Sequence, residues 1–219
     1  FYNNCHFEVN DDYRRDNFAA HISMWDVDGV DIYGCDFINS RSGVGGNYTS
    51  RKNAIYTIDA NFNVAGRCAN FSIPCTKYDY NNFEGFYRAI EVSNVSTNKT
   101  VSIDRSNFTK NMVGVYSSSV DNIKVVRSNF EVGGYPTIYF YSQIGIQLND
   151  QTGFIVENNT FEKPAEAVSN YPYGVWIANS GTEPNQIYGN NFADLYYGNF
   201  ATRLNRDTLS PFNGLGYFC

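Results

Sequence analysis

Basic residues and long apolar runs are both scarce in this sequence. Only 16 of its 219 residues are Lys or Arg, against 22 Asp or Glu, so the formal net charge is −6. Because nucleic-acid phosphates and anionic membranes are recognised by clustered basic residues, this balance argues against both as partners. No apolar run approaches the roughly 20 residues of a membrane-spanning helix, which argues against direct membrane insertion.

Helical patterning is missing too, whereas Asn, Gly and aromatic residues are abundant. The chain has 29 Asn, 18 Gly, 18 Tyr and 17 Phe, and 42% of its residues are hydrophobic. No repeating segment has the apolar spacing of a helix. Aromatic residues favour strands, whereas Asn and Gly favour turns. We therefore expect an all-β chain of many short strands, with enough apolar material for a core.

A short pattern recurs along the chain: two alternating apolar residues, then a small residue, a polar residue and Phe. Its clearest copies are residues 30–37, 101–108, 123–130 and 154–161, and degenerate copies end at Phe7, Phe62 and Phe192. The small column is Cys5, Cys35, Ala60, Ser106, Ser128, Asn159 and Asn190, and the polar column is His6, Asp36, Asn61, Asn107, Asn129, Thr160 and Asn191. A second strand signal begins in several units at Gly114, Gly145 and Gly174.

A unit of this kind cannot bury its apolar face alone, whereas stacked copies bury a continuous core. In a stack, parallel strands about 4.8 Å apart satisfy each other's backbone groups. The recurrent Phe would then form an internal aromatic stack, and Asn would occupy left-handed corners between sheets. The sequence therefore predicts an all-β parallel solenoid of about seven to eight coils.

An antiparallel β-sandwich or a β-propeller is the alternative, since both also contain regular short strands. The two-residue Asn-Gly and Asp-Gly turns that are typical of hairpins are rare in this sequence. A propeller would also need a repeat period near 40 residues. Both observations favour the solenoid.

Two segments interrupt the repeat, at roughly residues 63–86 and 131–144. Insertions in solenoids collect on one side and often form the binding face. We expect one β-helix segment spanning residues 1–219. We also expect it to be a fragment of a longer protein, because residues 1–7 read as the end of a unit and residues 214–219 as the beginning of one.

The repeated pattern Gly-Val/Ile followed by Ile-x-Val-x-x-Asn/Ser-Asn-x-Phe resembles the right-handed parallel β-helix repeat superfamily, which has the pectate-lyase-like fold. The resemblance extends from Phe1 to about Arg206 and implies a right-handed β-helix. Three stretches more narrowly resemble large β-helix proteins that Bacteroidota secrete through the type IX pathway, namely residues 21–30, 55–60 and 185–192. This resemblance implies an extracellular or outer cell-surface location. Residues 207–209 resemble the O-glycosylation motif of such proteins, with Thr208 as the acceptor.

Cys68 and Cys75 enclose a short loop, and a disulfide between them would form in an oxidising compartment. Two unpaired thiols are the alternative. Cys5 and Cys35 share a column one unit apart, so they would either form a bridge or stack as small apolar thiols. Cys219 would pair, if at all, outside this chain.

The chemistry-bearing residues give little sign of an active site. Pectate-lyase-like enzymes use carboxylate clusters with Ca²⁺ and a basic residue, or paired Asp residues that hydrolyse glycosides. The candidate acidic cluster here is Asp26, Asp28, Asp31 and Asp36. On strands these carboxylates would spread over more than one face, and the polygalacturonase-like signatures are absent from the sequence. Solvated carboxylates at turns are therefore the favoured interpretation.

Aromatic residues in the strands point to glycans instead. The strand segments contain Tyr33, Tyr56, Tyr116, Tyr188 and Trp176. Outward aromatic rings can stack on sugars, although they can equally stabilise cross-strand packing. We expect a non-catalytic, cofactor-free segment of a secreted or cell-surface protein: a stalk, an adhesin or a glycan-contact module exported as type IX cargo. Its expected partners are glycans, other surface proteins or components of the secretion machinery. The alternative is a polysaccharide lyase or glycoside hydrolase.

Overall fold

Short strands wind into successive coils around a single axis in the computed structural model. Strands of neighbouring coils pair in parallel, as Phe83 with Phe108 and Phe108 with Phe130 illustrate. The structure describes residues 1–13, 18–42, 48–70, 72–95, 99–135, 141–167, 169, 171–181, 184–205 and 215–218. No helix in this part of the chain is long and apolar enough to cross a membrane.

Seven full coils and one further strand make up the described solenoid. The first three coils contain β1 (Tyr2–Asn3), β2 (His6–Val9), β3 (Ala20–Trp25), β4 (Asp28–Tyr33), β5 (Asp36–Asn39), a 3-10 helix (Tyr48–Arg51), β6 (Asn53–Ile58), β7 (Asn61–Ala65), β8 (Arg67–Cys68), β9 (Tyr78–Asp79), β10 (Asn81–Glu84) and β11 (Arg88–Ser93). The next two coils contain β12 (Val101–Asp104), β13 (Ser106–Asn111), β14 (Val113–Ser118), β15 (Lys124–Val126), β16 (Asn129–Val132) and β17 (Gln143–Asn149). The last two coils and the eighth contain β18 (Ile155–Glu157), β19 (Thr160–Glu162), β20 (Pro172–Ala178), β21 (Asn185–Tyr188), β22 (Asn191–Ala193), β23 (Tyr197–Thr202) and β24 (Leu215–Phe218).

Each full coil contributes one strand to each of three long sheets. Sheet A is formed by β1, β4, β7, β12, β15, β18, β21 and β24, sheet B by β2, β5, β10, β13, β16, β19 and β22, and sheet C by β3, β6, β11, β14, β17, β20 and β23. This arrangement confirms the predicted all-β parallel solenoid of seven to eight coils. A separate hairpin pairs β8 with β9 in antiparallel orientation.

Aliphatic ladders from sheets A and C fill much of the interior. The sheet A ladder is Ile32, Val64, Ile103, Val125, Val156 and Ile187. The sheet C ladder is Ile22, Ile55, Ile90, Val115, Ile146 and Val175. All of these side chains are 5% exposed or less. Because each ladder passes through successive coils, every coil buries its apolar residues against its neighbours.

Sheet B supplies the predicted internal stack of aromatic rings. Its members are Phe7, Phe37, Phe83, Phe108, Phe130, Phe161 and Phe192. Consecutive ring centroids lie 4.6–5.0 Å apart and the ring planes differ by 10° or less. The strand spacing of about 4.8 Å sets this ring spacing, since each Phe is carried by one strand.

One coil departs from the predicted columns. Residues 81–83 (Asn-Asn-Phe) occupy the third-coil positions that the pattern assigned to residues 60–62 (Ala-Asn-Phe). Phe62 instead lies in sheet A, where it pairs with Val30 and Val101. The prediction failed because residues 60–62 imitate the motif locally, whereas the excursion carrying β8 and β9 postpones the sheet B strand by about twenty residues.

The corners between sheets A and B adopt left-handed backbone, as expected. The residues in this conformation are Asn4, Gly34, Arg105, Arg127, Asn158 and Gly189, with φ between 47° and 62°. Two Asn residues confirm the prediction, although Arg fills the same position in two other coils. The next residue links the coils, because the backbone N–H of Ser128 donates to Asn159 Oδ1 at 2.9 Å and that of Asn159 donates to Asn190 Oδ1 at 2.9 Å.

Both predicted insertions exist but are shorter than expected. Strand β7 continues to Ala65 and β10 begins at Asn81, so the first excursion covers residues 66–80. The second covers residues 133–142, between β16 and β17. Further long connections, residues 10–19, 40–52 and 163–171, also join sheet B to sheet C. Most long loops therefore collect at the corner between sheets B and C.

Candidate functional site

The outward side of sheet C, called here the sheet C face, carries a concentration of aromatic residues, most of them half-buried. One file along the axis, with one residue per coil, consists of Ser23, Tyr56, Glu91, Tyr116, Gln147, Trp176 and Phe200. A neighbouring file consists of Ala20, Asn53, Arg88, Val113, Ile144, Tyr173 and Tyr197. Both Trp residues of the chain lie on this sheet: Trp176 lies in β20, and Trp25, which is 75% exposed, ends β3.

A compact polar group lies at the centre of the sheet C face. The Arg88 guanidinium donates to Glu91 Oε1 at 2.6 Å, and the Asn53 amide donates to Glu91 Oε2 at 2.6 Å. The same guanidinium lies 3.7 Å from the centroid of the Tyr116 ring, in cation–π geometry. The Arg88 Nε is buried without a hydrogen-bond partner. The charges of Arg88 and Glu91 thus neutralise each other beside an aromatic platform.

Two cavities follow one another along the axis on this face. The first, of about 570 Å³, includes Tyr56, Tyr87 and Glu91 in its lining. The second, of about 270 Å³, includes Tyr87, Gln147 and Trp176. Tyr87 borders both cavities, so the pair forms one interrupted groove that extends from the first coil to the sixth.

Loops from the corner between sheets B and C wall this groove on one side. Phe18, Thr49 and Lys52 border the first cavity, and Tyr141 and Ser142 border the second. These residues belong to connections 10–19, 40–52 and 133–142. The insertion predicted at residues 131–144 therefore contributes to a concave surface. The excursion at residues 66–80 belongs to the corner between sheets A and B.

The four Asp residues of the candidate acidic cluster occupy different places. Lys99 Nζ lies 2.6 Å from Asp28 Oδ2 and 3.8 Å from Asp26 Oδ1. Asp31 lies in sheet A and Asp36 in sheet B, where Asp36 accepts a hydrogen bond from the Asn82 amide at 2.7 Å. Among the contacts of the described residues, only Asp26 and Asp28 therefore share a partner. In the described part of the chain, no group of three or more His, Cys, Asp or Glu residues could hold a metal ion.

The five aromatic residues singled out from the sequence divide between two sheets. Tyr56, Tyr116 and Trp176 share the central file of the sheet C face. Tyr33 and Tyr188 lie in sheet A. Sequence reasoning missed Tyr87, Tyr173, Tyr197 and Phe200, which belong to the same surface or border it. Gly174 and Gly198 could have identified Tyr173, Tyr197 and Phe200, since these glycines repeat the strand position of Gly145 and so fix the register of their neighbours. No such signal marks Tyr87.

Sheet B presents a different outward surface, built from Asn. Asn107 donates to Asn82 Oδ1 at 2.8 Å, and Asn129 donates to Asn107 Oδ1 at 2.9 Å. Beside this ladder, burial together with the neighbouring Glu162 and Glu166 carboxylates raises the pKa of Glu131. Because the amides hydrogen-bond one another, this ladder stabilises the stacking of coils.

Cys68 and Cys75 form a disulfide that closes the tip of the hairpin, with Cα atoms 5.8 Å apart. Cys5 and Cys35 have free thiols, and the backbone N–H of Cys5 donates to Cys35 Sγ at 3.3 Å. Burial raises the pKa of the Cys35 thiol. Cys219 and Thr208 lie outside the described residues.

Comparisons with protein families, with curated proteins and with solved structures found no match to this chain.

Proposed function

We propose that this chain is a glycan-binding β-helix module of an extracellular or cell-surface protein, and that the glycan lies in the groove of the sheet C face. The observation that carries the proposal is the file in which Tyr56, Tyr116 and Trp176 alternate with polar residues beside two adjoining cavities. Ligand sites in proteins combine such apolar lining with a few fixed polar groups.

Sugar chemistry suits this lining better than other ligand classes. Aromatic rings pack against the C–H faces of pyranose rings, and amide and carboxylate groups hydrogen-bond the hydroxyls. Asn53, Glu91 and Gln147 supply such groups along the groove. The scarcity of basic residues disfavours nucleic acid. An aromatic, weakly charged groove therefore favours a carbohydrate.

A secreted or surface location is part of the proposal. A disulfide such as Cys68–Cys75 persists in oxidising compartments and is rare in reducing ones. The resemblance to Bacteroidota proteins exported through the type IX pathway supports export by that route, with secretion-machinery components as transient partners. Surface labelling of producing cells, compared with cells lacking that pathway, tests this part independently of binding.

A binding role without catalysis is favoured by the protonation of Lys99, the basic residue that Asp26 and Asp28 contact in the described part of the chain. A lysine that serves as a general base needs a lowered pKa. The hydrogen bond to Asp28 instead raises the pKa of Lys99. Lys99 is therefore poorly suited to abstract a proton, which weakens the rival hypothesis of a polysaccharide lyase that would use this cluster.

The test is a binding survey with matched variants. Affinity electrophoresis and pull-down on insoluble polysaccharides should show retention of the protein, and Trp176→Ala should weaken it about tenfold or more, the size of effect expected for an aromatic anchor. Tyr188→Ala is the matched control, since Tyr188 is 48% exposed on another sheet. A parallel assay for new reducing ends and for unsaturated sugar products covers the rival: turnover that Asp28→Ala abolishes would replace this proposal with an enzyme.

A further inference from the structure

Aromatic and polar residues alternate with the coils along the central file of the sheet C face. From the second coil to the sixth, the file reads Tyr56, Glu91, Tyr116, Gln147 and Trp176. Successive strands are about 4.8 Å apart, so the aromatic rings recur about every 10 Å. The parallel register imposes this period on the surface, because each coil presents one residue of the file.

We infer that the ligand is a linear, uncharged, β-1,4-linked polysaccharide that runs along the solenoid axis with one sugar over each coil. This inference rests on the proposed function. In an extended β-1,4-linked chain each sugar advances by about one strand spacing, and alternate sugars present the same face to a flat surface. Alternate sugars would therefore stack on Tyr56 and Trp176, with the middle one over Tyr116 and the Arg88 guanidinium that packs on its ring. The intervening sugars would face Glu91 and Gln147.

The course of the groove supports this orientation. The two cavities succeed each other along the axis and are separated by Tyr87. The loops at the corner between sheets B and C border both of them, which confines a ligand lengthwise. A chain lying parallel to the strands would meet this wall, whereas a chain along the axis, crossing successive strands, follows it.

The charges that line the groove favour an uncharged polymer. The described lining contains one Lys, one Arg and one Glu, namely Lys52, Arg88 and Glu91. Arg88 and Glu91 pair at 2.6 Å, so only Lys52 is left to attract an anion. The whole chain carries a formal charge of −6, which repels a polyuronate.

The experiment measures affinity against chain length, using cello- and chito-oligosaccharides of two to seven sugars and isothermal titration calorimetry. The span from Tyr56 to Trp176 covers five coils. We expect the affinity to rise about tenfold or more between two and five sugars and then to level off. Tyr56→Ala should reduce the affinity for five sugars to that for three, because only the span from Tyr116 to Trp176 is left.

A register-shift variant provides the sharper test. Tyr116→Gln/Gln147→Tyr keeps the composition of the file but moves the central ring by one coil. Binding of the five-sugar ligand should weaken about tenfold, with the thermal midpoint as the check that the fold is intact. If the exchange lowers that midpoint, the Tyr56→Ala comparison carries the test alone.

Failures of the two proposals are distinguishable. An affinity that levels off at two or three sugars, or a register-shift variant that binds normally, would overturn the axial arrangement while Trp176→Ala still supports glycan binding. Preference for polyuronates would overturn the assignment of an uncharged chain. Absence of binding to any polysaccharide would overturn the proposed function itself.

Discussion

The rings of Phe108 and Phe130 lie 4.6 Å apart at their centroids, and their planes differ by 2°. These residues are 22 positions apart in the sequence and directly paired in sheet B. One winding of the chain therefore returns the equivalent side chain to the same place over its predecessor. Phe108 also stacks on Phe83, at 5.0 Å.

Removal of a central ring should destabilise the solenoid strongly. Phe108 is 2% exposed and stacks on both sides, so Phe108→Ala should lower the free energy of unfolding by about 3–5 kcal/mol. Phe192→Ala should cost clearly less, since among the described rings Phe192 stacks only on Phe161. Urea denaturation measures both variants. Equal losses would contradict the view that each ring is stabilised by its two neighbours.

The glycines near the beginning of several sheet C strands pack closely against the Phe stack. A Cβ on Gly145 would lie 2.7 Å from Phe161 Cδ1 and 2.7 Å from the Gly174 carbonyl oxygen. Gly145→Ala should therefore destabilise the fold by roughly 1–3 kcal/mol. Gly134→Ala is the control, because its new Cβ would come no closer than 3.5 Å to Lys110. It should change stability by only about 0.5 kcal/mol. A thermal melt that shows the two variants alike would refute this packing.

The sequence predicted the solenoid well because the physical cause of the fold is repeated within it. Stacked coils require equivalent residues at equivalent positions, and the Phe and small-residue columns display that requirement directly. The third coil was misread because residues 60–62 reproduce the motif by themselves. The true anchor, Phe83, follows an excursion whose length no local pattern encodes.

The candidate site was only partly predictable. Tyr56, Tyr116 and Trp176 were identified as strand residues, but their common file depends on the sheet C register, which the irregular loops between sheets B and C conceal. Tyr87 and Lys52 enter the groove from such loops, so no strand periodicity marks them. The four Asp residues do not form a cluster, because the corner at Gly34 separates Asp31 in sheet A from Asp36 in sheet B.

The Cys68–Cys75 disulfide should stabilise the hairpin and leave the solenoid unaffected. The two Cys are 7 positions apart, and a loop this short corresponds to about 2.4 kcal/mol. The Arg67–Asp79 ion pair, at 2.5 Å, holds the base of the hairpin independently. In the Cys68→Ser/Cys75→Ser double variant, we expect amide hydrogen exchange to be faster than in the parent protein only within residues 66–80. Loss of protection in β7 or β10 would show instead that the hairpin supports the coils.

His21 should make the stability of the fold depend on pH. Its ring packs among aromatic residues, with Phe18 at 4.9 Å and Phe86 at 5.7 Å between centroids, and its Nε2 is buried without a hydrogen-bond partner. Burial lowers the pKa of His21 from 6.5, and the hydrogen bond to the Ile38 backbone opposes this shift only in part. The folded state therefore prefers the neutral ring and binds fewer protons than the unfolded state does.

The sign of the effect follows from that difference. The stabilisation that comes from a neutral His21 should be fully present above about pH 6.5. It should fall as the pH drops below this value towards the lowered pKa, by at most about 1.4 kcal/mol per pH unit. His21→Leu should remove this dependence in urea denaturation between about pH 5 and 7. His6→Gln is the control, since the His6 side chain is 55% exposed and its charge is the smallest of the three causes that shift the pKa of His21. Glu131 also has a shifted pKa, so the decisive quantity is the difference between variant and parent. An unchanged slope in His21→Leu would contradict a neutral, buried His21.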